Sequence, residues 1–150
     1  MAKEIERKFL VTSKSWRRRA GRGMSIRQAY LALTDTISVR VRIIGNAKAF
    51  LTIKSSQPGA SRSEFEYPIP VKDARALMKF RTGRVIEKRR HVVKAGKDCF
   101  EVDVFKGDHS GLVIAEIELS TERAPFKRPE WLGKEVTGSK RYYNAHLASA

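Results

Sequence analysis

Charged side chains recur at alternate positions along this chain. Glu4, Glu6 and Lys8 share one parity, as do Arg40 with Arg42, Lys54 with Thr52, Glu64 with Glu66, Lys88 with Arg90, Glu101 with Asp103, and Glu116 with Glu118. In an extended chain, residues two apart point to the same side and lie about 7 Å apart. Each pair is therefore a charged row on one face of a strand, and the residues between (Val39, Val41, Phe65, Val102, Ile117) are mostly apolar. A half-solvated sheet also alternates in this way. The distinguishing feature is that acids and bases occupy matching parity on interleaved strands. Acidic rows brought together repel unless a divalent cation sits among them. With no His or Cys in the rows, an oxygen-only set suits Mg²⁺ or Mn²⁺. Magnesium binds through a few carboxylates plus substrate phosphates, and Arg and Lys hold the remaining phosphate oxygens. The chemistry indicated is capture of a polyphosphate together with a metal ion.

The elements that would position these rows are strands. Period-two patterning marks them near Lys3–Val11, Ile26–Leu33, Ile37–Ile44, Lys48–Lys54, Arg62–Tyr67, Val85–Val93, Phe100–Phe105 and Leu112–Leu119. Turn residues such as Gly45-Asn46 and Gly96-Lys97-Asp98 separate them closely enough for antiparallel hairpins. Helical periodicity is confined to Ser13–Ala20, Val71–Phe80 and Ser139–Ala148, the last with Ser139 as a candidate cap. Strand six is mixed, with Lys88 and Arg90 on one face and Glu87 and Arg89 on the other. The expected fold is mainly β: eight antiparallel strands closed into a barrel, charged rows inward, apolar faces outward beneath flanking helices. So many charges cannot form a dry core, because desolvation would exceed what packing returns. The interior must be a wet tunnel.

The chain has 150 residues with 31 Lys+Arg against 16 Asp+Glu, a net +15, and is read as one domain over 1–150. That length supports a core without staples, and the single Cys99 excludes an internal disulfide or a four-ligand zinc site. The sequence shows neither a secretory signal nor a membrane-spanning apolar run, which predicts a cytoplasmic protein without a membrane partner. The positive surplus calls for anionic partners. It exceeds what the tunnel rows account for, so most of it belongs outside. Arg17, Arg18 and Arg19 read as a solvated face, the three histidines lack metal spacing, and Gly21-Arg22-Gly23 lacks the context of a phosphate loop. Trp131 reads as an anchor for the C-terminal segment.

Glu4-Ile5-Glu6-Arg7-Lys8 resembles the E-x-E-x-K signature of the CYTH, or triphosphate tunnel metalloenzyme, family. Gln28-Ala29-Tyr30-Leu31, Val39-Arg40-Val41-Arg42, Leu51-Thr52-Ile53-Lys54, Glu64-Phe65-Glu66, Lys88-Arg89-Arg90, Glu101-Val102-Asp103 and Ala115-Glu116-Ile117-Glu118 follow in that family's order. The resemblance covers nearly the whole chain, and Val136-Thr137-Gly138 with Arg141-Tyr142-Tyr143-Asn144 is similar to the close of short bacterial members. It implies an eight-stranded tunnel binding a triphosphate with Mg²⁺ or Mn²⁺, phosphate contacts at Lys8, Arg40, Arg42, Lys54, Lys88 and Arg90, and metal carboxylates at Glu4, Glu6, Glu116 and Glu118, with Asp103, Glu64 and Glu66 as further ligands or water-orienting groups. It also implies a water-activating pair at Lys54 and Tyr30. A lysine near Arg40 and Arg42 is expected to have a lowered pKa, as a general base near neutrality requires. Three functions follow: hydrolysis of inorganic tripolyphosphate; a nucleoside or thiamine triphosphatase or class IV adenylate cyclase on the same fold; or non-catalytic binding of polyphosphate or RNA. The acid rows favour the enzymes, the short loops favour the inorganic substrate, and no stacking platform for RNA is visible. A homodimer is compatible with the basic surface.

Overall fold

The computed structural model describes residues 3–55 and 61–149, with side chains from residue 5 onward. Nine strands make one sheet: β1 (Lys3–Val11), β2 (Met24–Leu33), β3 (Ile37–Ile44), β4 (Lys48–Ser55), β5 (Ser61–Ile69), β6 (Thr82–Ala95), β7 (Asp98–Phe105), β8 (Val113–Glu118) and β9 (Leu132–Glu135). Their order is β5-β4-β3-β2-β6-β7-β8-β1-β9, and a further β1–β5 pairing closes strands one to eight into an antiparallel barrel. Closure is brief, running over Lys3↔Ser63, Glu4↔Arg62 and Ile5↔Ser61. Farther along, β1 leaves β5 and takes β9 as its neighbour, with Phe9 opposite Glu135 and Val11 opposite Leu132. The eight-stranded barrel is thus as expected, and β9 is an addition.

β9 escaped the sequence reading because Leu132-Gly133-Lys134-Glu135 is short and lacks alternation. Its glycine has a steric reason: a Cβ at Gly133 would lie 2.7 Å from Thr12 Cγ2 and 3.0 Å from the Leu10 carbonyl oxygen. The helices are shorter than periodicity suggested. Ser13–Ala20 holds only a 3₁₀ turn over Ser15–Arg19. Val71–Phe80 is α1 (Val71–Leu77) continued as a 3₁₀ turn. The C-terminal stretch divides into a 3₁₀ turn over Lys140–Tyr142 and α2 (Asn144–Leu147), and Ser139 makes no side-chain cap. Tyr143 between them is extended at φ −72°, ψ 138°, which interrupts the helix and lets Tyr143 and Asn144 face the barrel interior.

The apolar faces turn outward, as expected, and are covered there. Phe9, Val93, Phe100, Val102, Ala115 and Ile117 pack beneath Trp16, Trp131 and Leu132, and Phe100 meets the Trp131 ring edge-on at 5.2 Å. On the other side Ala29, Val41, Ile43 and Ala49 pack beneath Ala74 and Met78 of α1 and its extension. A third cluster lies within the barrel: Ile86, Phe105 and Ile114 continue the rows of Lys88, Asp103 and Glu116, and with Tyr30 they receive Leu147 and Ala148. The C-terminal segment therefore fills part of the interior with apolar side chains. At Gly83, with φ +73°, a Cβ would meet the Ala148 carbonyl oxygen at 2.3 Å, so this docking depends on glycine. None of the described helices is long and apolar enough to cross a membrane.

Candidate functional site

The rest of the interior is a cavity of about 920 Å³. Register explains its lining, since each inward position on one strand faces an inward position on the next. Across β2, β3 and β4, Tyr30 pairs Arg40 and Arg40 pairs Thr52, while Gln28 pairs Arg42. Across β4 and β5, Thr52 pairs Glu66 and Lys54 pairs Glu64. On the opposite wall Glu6 pairs Glu118, Lys8 pairs Glu116, and Glu101 pairs Glu116. Lys8, Arg40, Arg42, Lys54, Arg90, Tyr30, Glu6, Glu64, Glu66, Glu116 and Glu118 all line this one cavity, together with Glu101. Glu4 lies in β1 opposite Arg62, and its side chain falls outside the described ones. The described lining holds seven acids and seven bases, so the net +15 of the chain resides on the outer surface.

Two of the anticipated contacts are not open to the cavity. Lys88 and Asp103 are each 1% exposed and paired through Nζ and Oδ2 at 2.8 Å. Arg90 completes Asp103 with a bidentate pair, Nε to Oδ1 at 2.7 Å and Nη2 to Oδ2 at 2.9 Å. Both Asp103 oxygens are thereby taken, and it acts as a strut behind the wall. Lys88 also donates to Asn144 Oδ1 at 2.9 Å. The physical cause is the C-terminal segment, which occupies the space that Lys88 would otherwise share with a ligand. Burial pushes the Lys88 ammonium down to about 7, against the pull of Asp103. Burial alone would raise the Asp103 carboxyl, yet Lys88 and Arg90 hold it below its ordinary range. Lys54, the lysine expected to be discharged by arginines, instead has Glu64 Oε2 at 3.4 Å from its Nζ.

The arginine wall is poised for an anion. Arg42 is deeply buried, donates from Nε to Gln28 Oε1 at 2.8 Å, and is lowered to about 9 by burial, with the nearby charges of Arg40 and Arg90 adding to the shift. Among the described residues Arg40 reaches Thr52 Oγ1, at 3.4 Å, and its buried Nε has no hydrogen-bond partner there. A buried guanidinium donor without an acceptor costs free energy that an anionic ligand would recover. Sequence reasoning passed over Arg62, which lines the cavity and lies 4.9 Å from the Tyr143 ring centre, and over Tyr143 and Asn144 themselves. Arg62 was discoverable, since it shares parity with Glu64 and Glu66.

The acid wall fits a hard cation. Glu6 opposes Glu118 and Glu101 opposes Glu116, and like charges directly across a ladder are destabilising. Burial would raise the Glu116 carboxyl, but Lys8 and a hydrogen bond with Glu6 hold it well below its ordinary value. Glu101 is raised, by burial first and then by Glu116 and Asp103, in spite of Arg90. Two carboxyls close enough to share a proton are close enough to share a metal ion in its place. Among the described residues no three carboxylates are yet drawn together at ligand spacing. The donors are nonetheless all oxygen, half-open to the cavity and lacking any soft ligand, which is the set Mg²⁺ or Mn²⁺ requires.

Comparison with known proteins agrees with this arrangement. The CYTH domain model matches residues 2–145. An inorganic triphosphatase of Acetivibrio thermocellus is 45% identical over 148 residues, covering 98% of this chain and 94% of that one. An inorganic triphosphatase of Nitrosomonas europaea is 41% identical over 149 residues, covering 97% and 96%. Among solved structures, the inorganic triphosphatase NE1496 superimposes with a TM-score of 0.69 at 39% identity, covering 100% of this chain and 97% of that one. A Hippeastrum protein described as a putative adenylyl cyclase with dominant triphosphatase activity shares the fold, with a TM-score of 0.60 at 15% identity over 79% of this chain and 80% of that one. Identity of 41–45% over nearly the whole length, a closed eight-stranded barrel and a cavity lined by acidic and basic rows all agree: the chain belongs to the CYTH domain family.

Proposed function

We propose that this protein is a metal-dependent triphosphatase that hydrolyses inorganic tripolyphosphate to diphosphate and phosphate. The observation that carries the reading is that one cavity is lined both by the carboxylates Glu6, Glu101, Glu116 and Glu118 and by the basic groups Arg40, Arg42, Lys54, Arg62 and Arg90. A receptor for polyanions alone has no use for that acid wall. The two related chains named inorganic triphosphatase, each more than 40% identical, support the same substrate class.

Phosphoryl transfer is mostly positioning and charge neutralisation. Glu6, Glu116 and Glu118, with Glu4 two residues before Glu6 in sequence, would hold Mg²⁺ or Mn²⁺, which when bound neutralises phosphate charge as a Lewis acid. Lys8, Arg40, Arg42, Arg62 and Arg90 grip non-bridging oxygens, and Arg40 Nε gains its missing acceptor. Lys54 Nζ, 3.4 Å from Glu64 Oε2, accepts a proton from the attacking water when the amine is neutral. Tyr30, on the border between the cavity and the apolar cluster around Leu147, orients that water. Lys88 and Asp103 serve from behind the wall.

Phosphate release from tripolyphosphate, ATP and thiamine triphosphate, each with Mg²⁺, Mn²⁺ or EDTA, tests the reading. Metal-dependent release from tripolyphosphate alone is expected. Leu33, Ile44 and Phe50 also line the cavity and are the kind of apolar groups a nucleoside would need, so faster turnover of ATP would move the assignment to a nucleoside triphosphatase. Binding of all three without turnover would leave a polyphosphate receptor.

A further inference from the structure

Asn144, the first residue of α2, ties the C-terminal segment to the wall of the cavity. Its Oδ1 receives two hydrogen bonds, from Lys88 Nζ at 2.9 Å and from Gln28 Nε2 at 3.2 Å. Arg42 Nε occupies Gln28 Oε1, so Gln28 turns its Nε2, which can only donate, to Asn144, and the oxygen end of the carboxamide must face it. That fixes the other end. Nδ2, with two N–H groups, points away from both partners, and Asn144 lines the cavity. Nδ2 has no acceptor among the described residues, and Asn144 is only half-buried on the cavity wall.

The same bonds form a chain. Arg42 Nε donates to Gln28 Oε1, Gln28 to Asn144, Lys88 to Asn144 and to Asp103, and Arg90 closes on Asp103. Every member of this chain except Asn144 comes from the barrel strands. Two donors aimed at a single oxygen fix the orientation of the amide. A neutral donor is also well suited to this place, because it can hold a phosphate oxygen without adding charge beside Arg42 and Arg90.

We propose that Asn144 is a substrate-binding residue: Lys88 and Gln28 lock its carboxamide so that Nδ2 donates to a non-bridging phosphate oxygen of the triphosphate in the cavity. This rests on the tripolyphosphate reading above. It makes the C-terminal segment part of the binding site and gives Lys88 a positioning role, acting through Asn144.

The test separates donor from anchor. Asn144→Asp keeps an acceptor for Lys88 and Gln28 and removes the donor, Asn144→Leu keeps the shape with neither, and Asn144→Ala removes the side chain. The readouts are Tm without ligand, the Kd of tripolyphosphate in EDTA by calorimetry, and KM and kcat with saturating Mg²⁺. Asn144→Asp should melt at or above wild type while its Kd and KM rise by about 10–100-fold, the range of one hydrogen bond to a charged group. Asn144→Leu and Asn144→Ala should melt lower and weaken binding by the same order. Wild-type Kd in Asn144→Asp would overturn the proposal. Wild-type Kd in Asn144→Leu or Asn144→Ala would also overturn it, assigning the aspartate effect to added charge. Wild-type protein that fails to hydrolyse tripolyphosphate would instead overturn the functional reading itself.

Discussion

Asp103→Asn is the perturbation whose size the structure fixes most closely. The carboxylate is 1% exposed and neutralises Lys88 and Arg90 together, so its amide replacement takes the paired carboxylate from Lys88 and leaves Arg90 with Glu101, 3.5 Å away. Removing one member of a buried pair costs about 3–5 kcal/mol. For a chain of this length each kcal/mol moves Tm by ~2–4 °C, so a fall of roughly 6–20 °C is expected. The dependence on pH is more telling. Lys88 in the folded protein titrates at about 7 against its ordinary 10.5, and Asp103 is what keeps it from falling lower. In the variant it falls further. Below about pH 7 the folded wild type carries the Lys88 proton, as the unfolded chain does, while the folded variant does not. The penalty therefore grows as pH falls, by about 1.4 kcal/mol per unit until the variant's own pKa is reached. Above pH 7 folded Lys88 is mostly neutral in both proteins, and the loss is mainly that of Arg90. Urea denaturation in EDTA at pH 8.0 and 5.5 should show a penalty about 2 kcal/mol larger at the lower pH. An equal penalty at both, or one below about 1 kcal/mol at both, would refute the strut.

Three further expectations follow from the same geometry. Lys54→Ala should lower kcat by about 10²–10⁴-fold if Lys54 accepts the water's proton; Lys54→Arg, which keeps the charge but stays protonated, should be no better, and near-wild-type kcat in either variant removes Lys54 from the chemistry. Glu6→Gln with Glu116→Gln should abolish calorimetric Mn²⁺ binding while the barrel's circular dichroism is unchanged, and metal binding at wild-type affinity would move the metal elsewhere. Trp131→Ala removes a ring packed against Phe100 beneath β9 and should cost about 3–5 kcal/mol, with kcat at 20 °C unaltered; a smaller cost in urea titration would mean that the outer cluster closes over the gap.

Alternation in the sequence determined a great deal. A period of two fixes which side chains share a face without knowledge of their neighbours, so the inward set from Glu6 to Glu118 could be read before any strand was paired. The same parity argument, carried two residues back from Glu64, reaches Arg62. The outward apolar faces and the need for closure follow from the cost of burying those charges any other way.

What alternation does not carry is depth along the tunnel. Ile86, Lys88 and Arg90 have one parity, yet the first packs in a dry cluster, the second is sealed behind a salt bridge and the third reaches the cavity. Their surroundings are set by Leu147, Ala148 and Asn144, about sixty residues away in sequence. Whether Lys54 faces arginines or a glutamate depends likewise on the β4–β5 register, and Lys54 falls opposite Glu64. The short β9 has no periodic signal because Gly133 is set by a steric contact with β1 rather than by a face. The chain alone thus determined the kind of charge inside the barrel. Only the tertiary structure decided which charges are spent on one another and which remain for a ligand, because that choice depends on distances between elements that the sequence does not order in space.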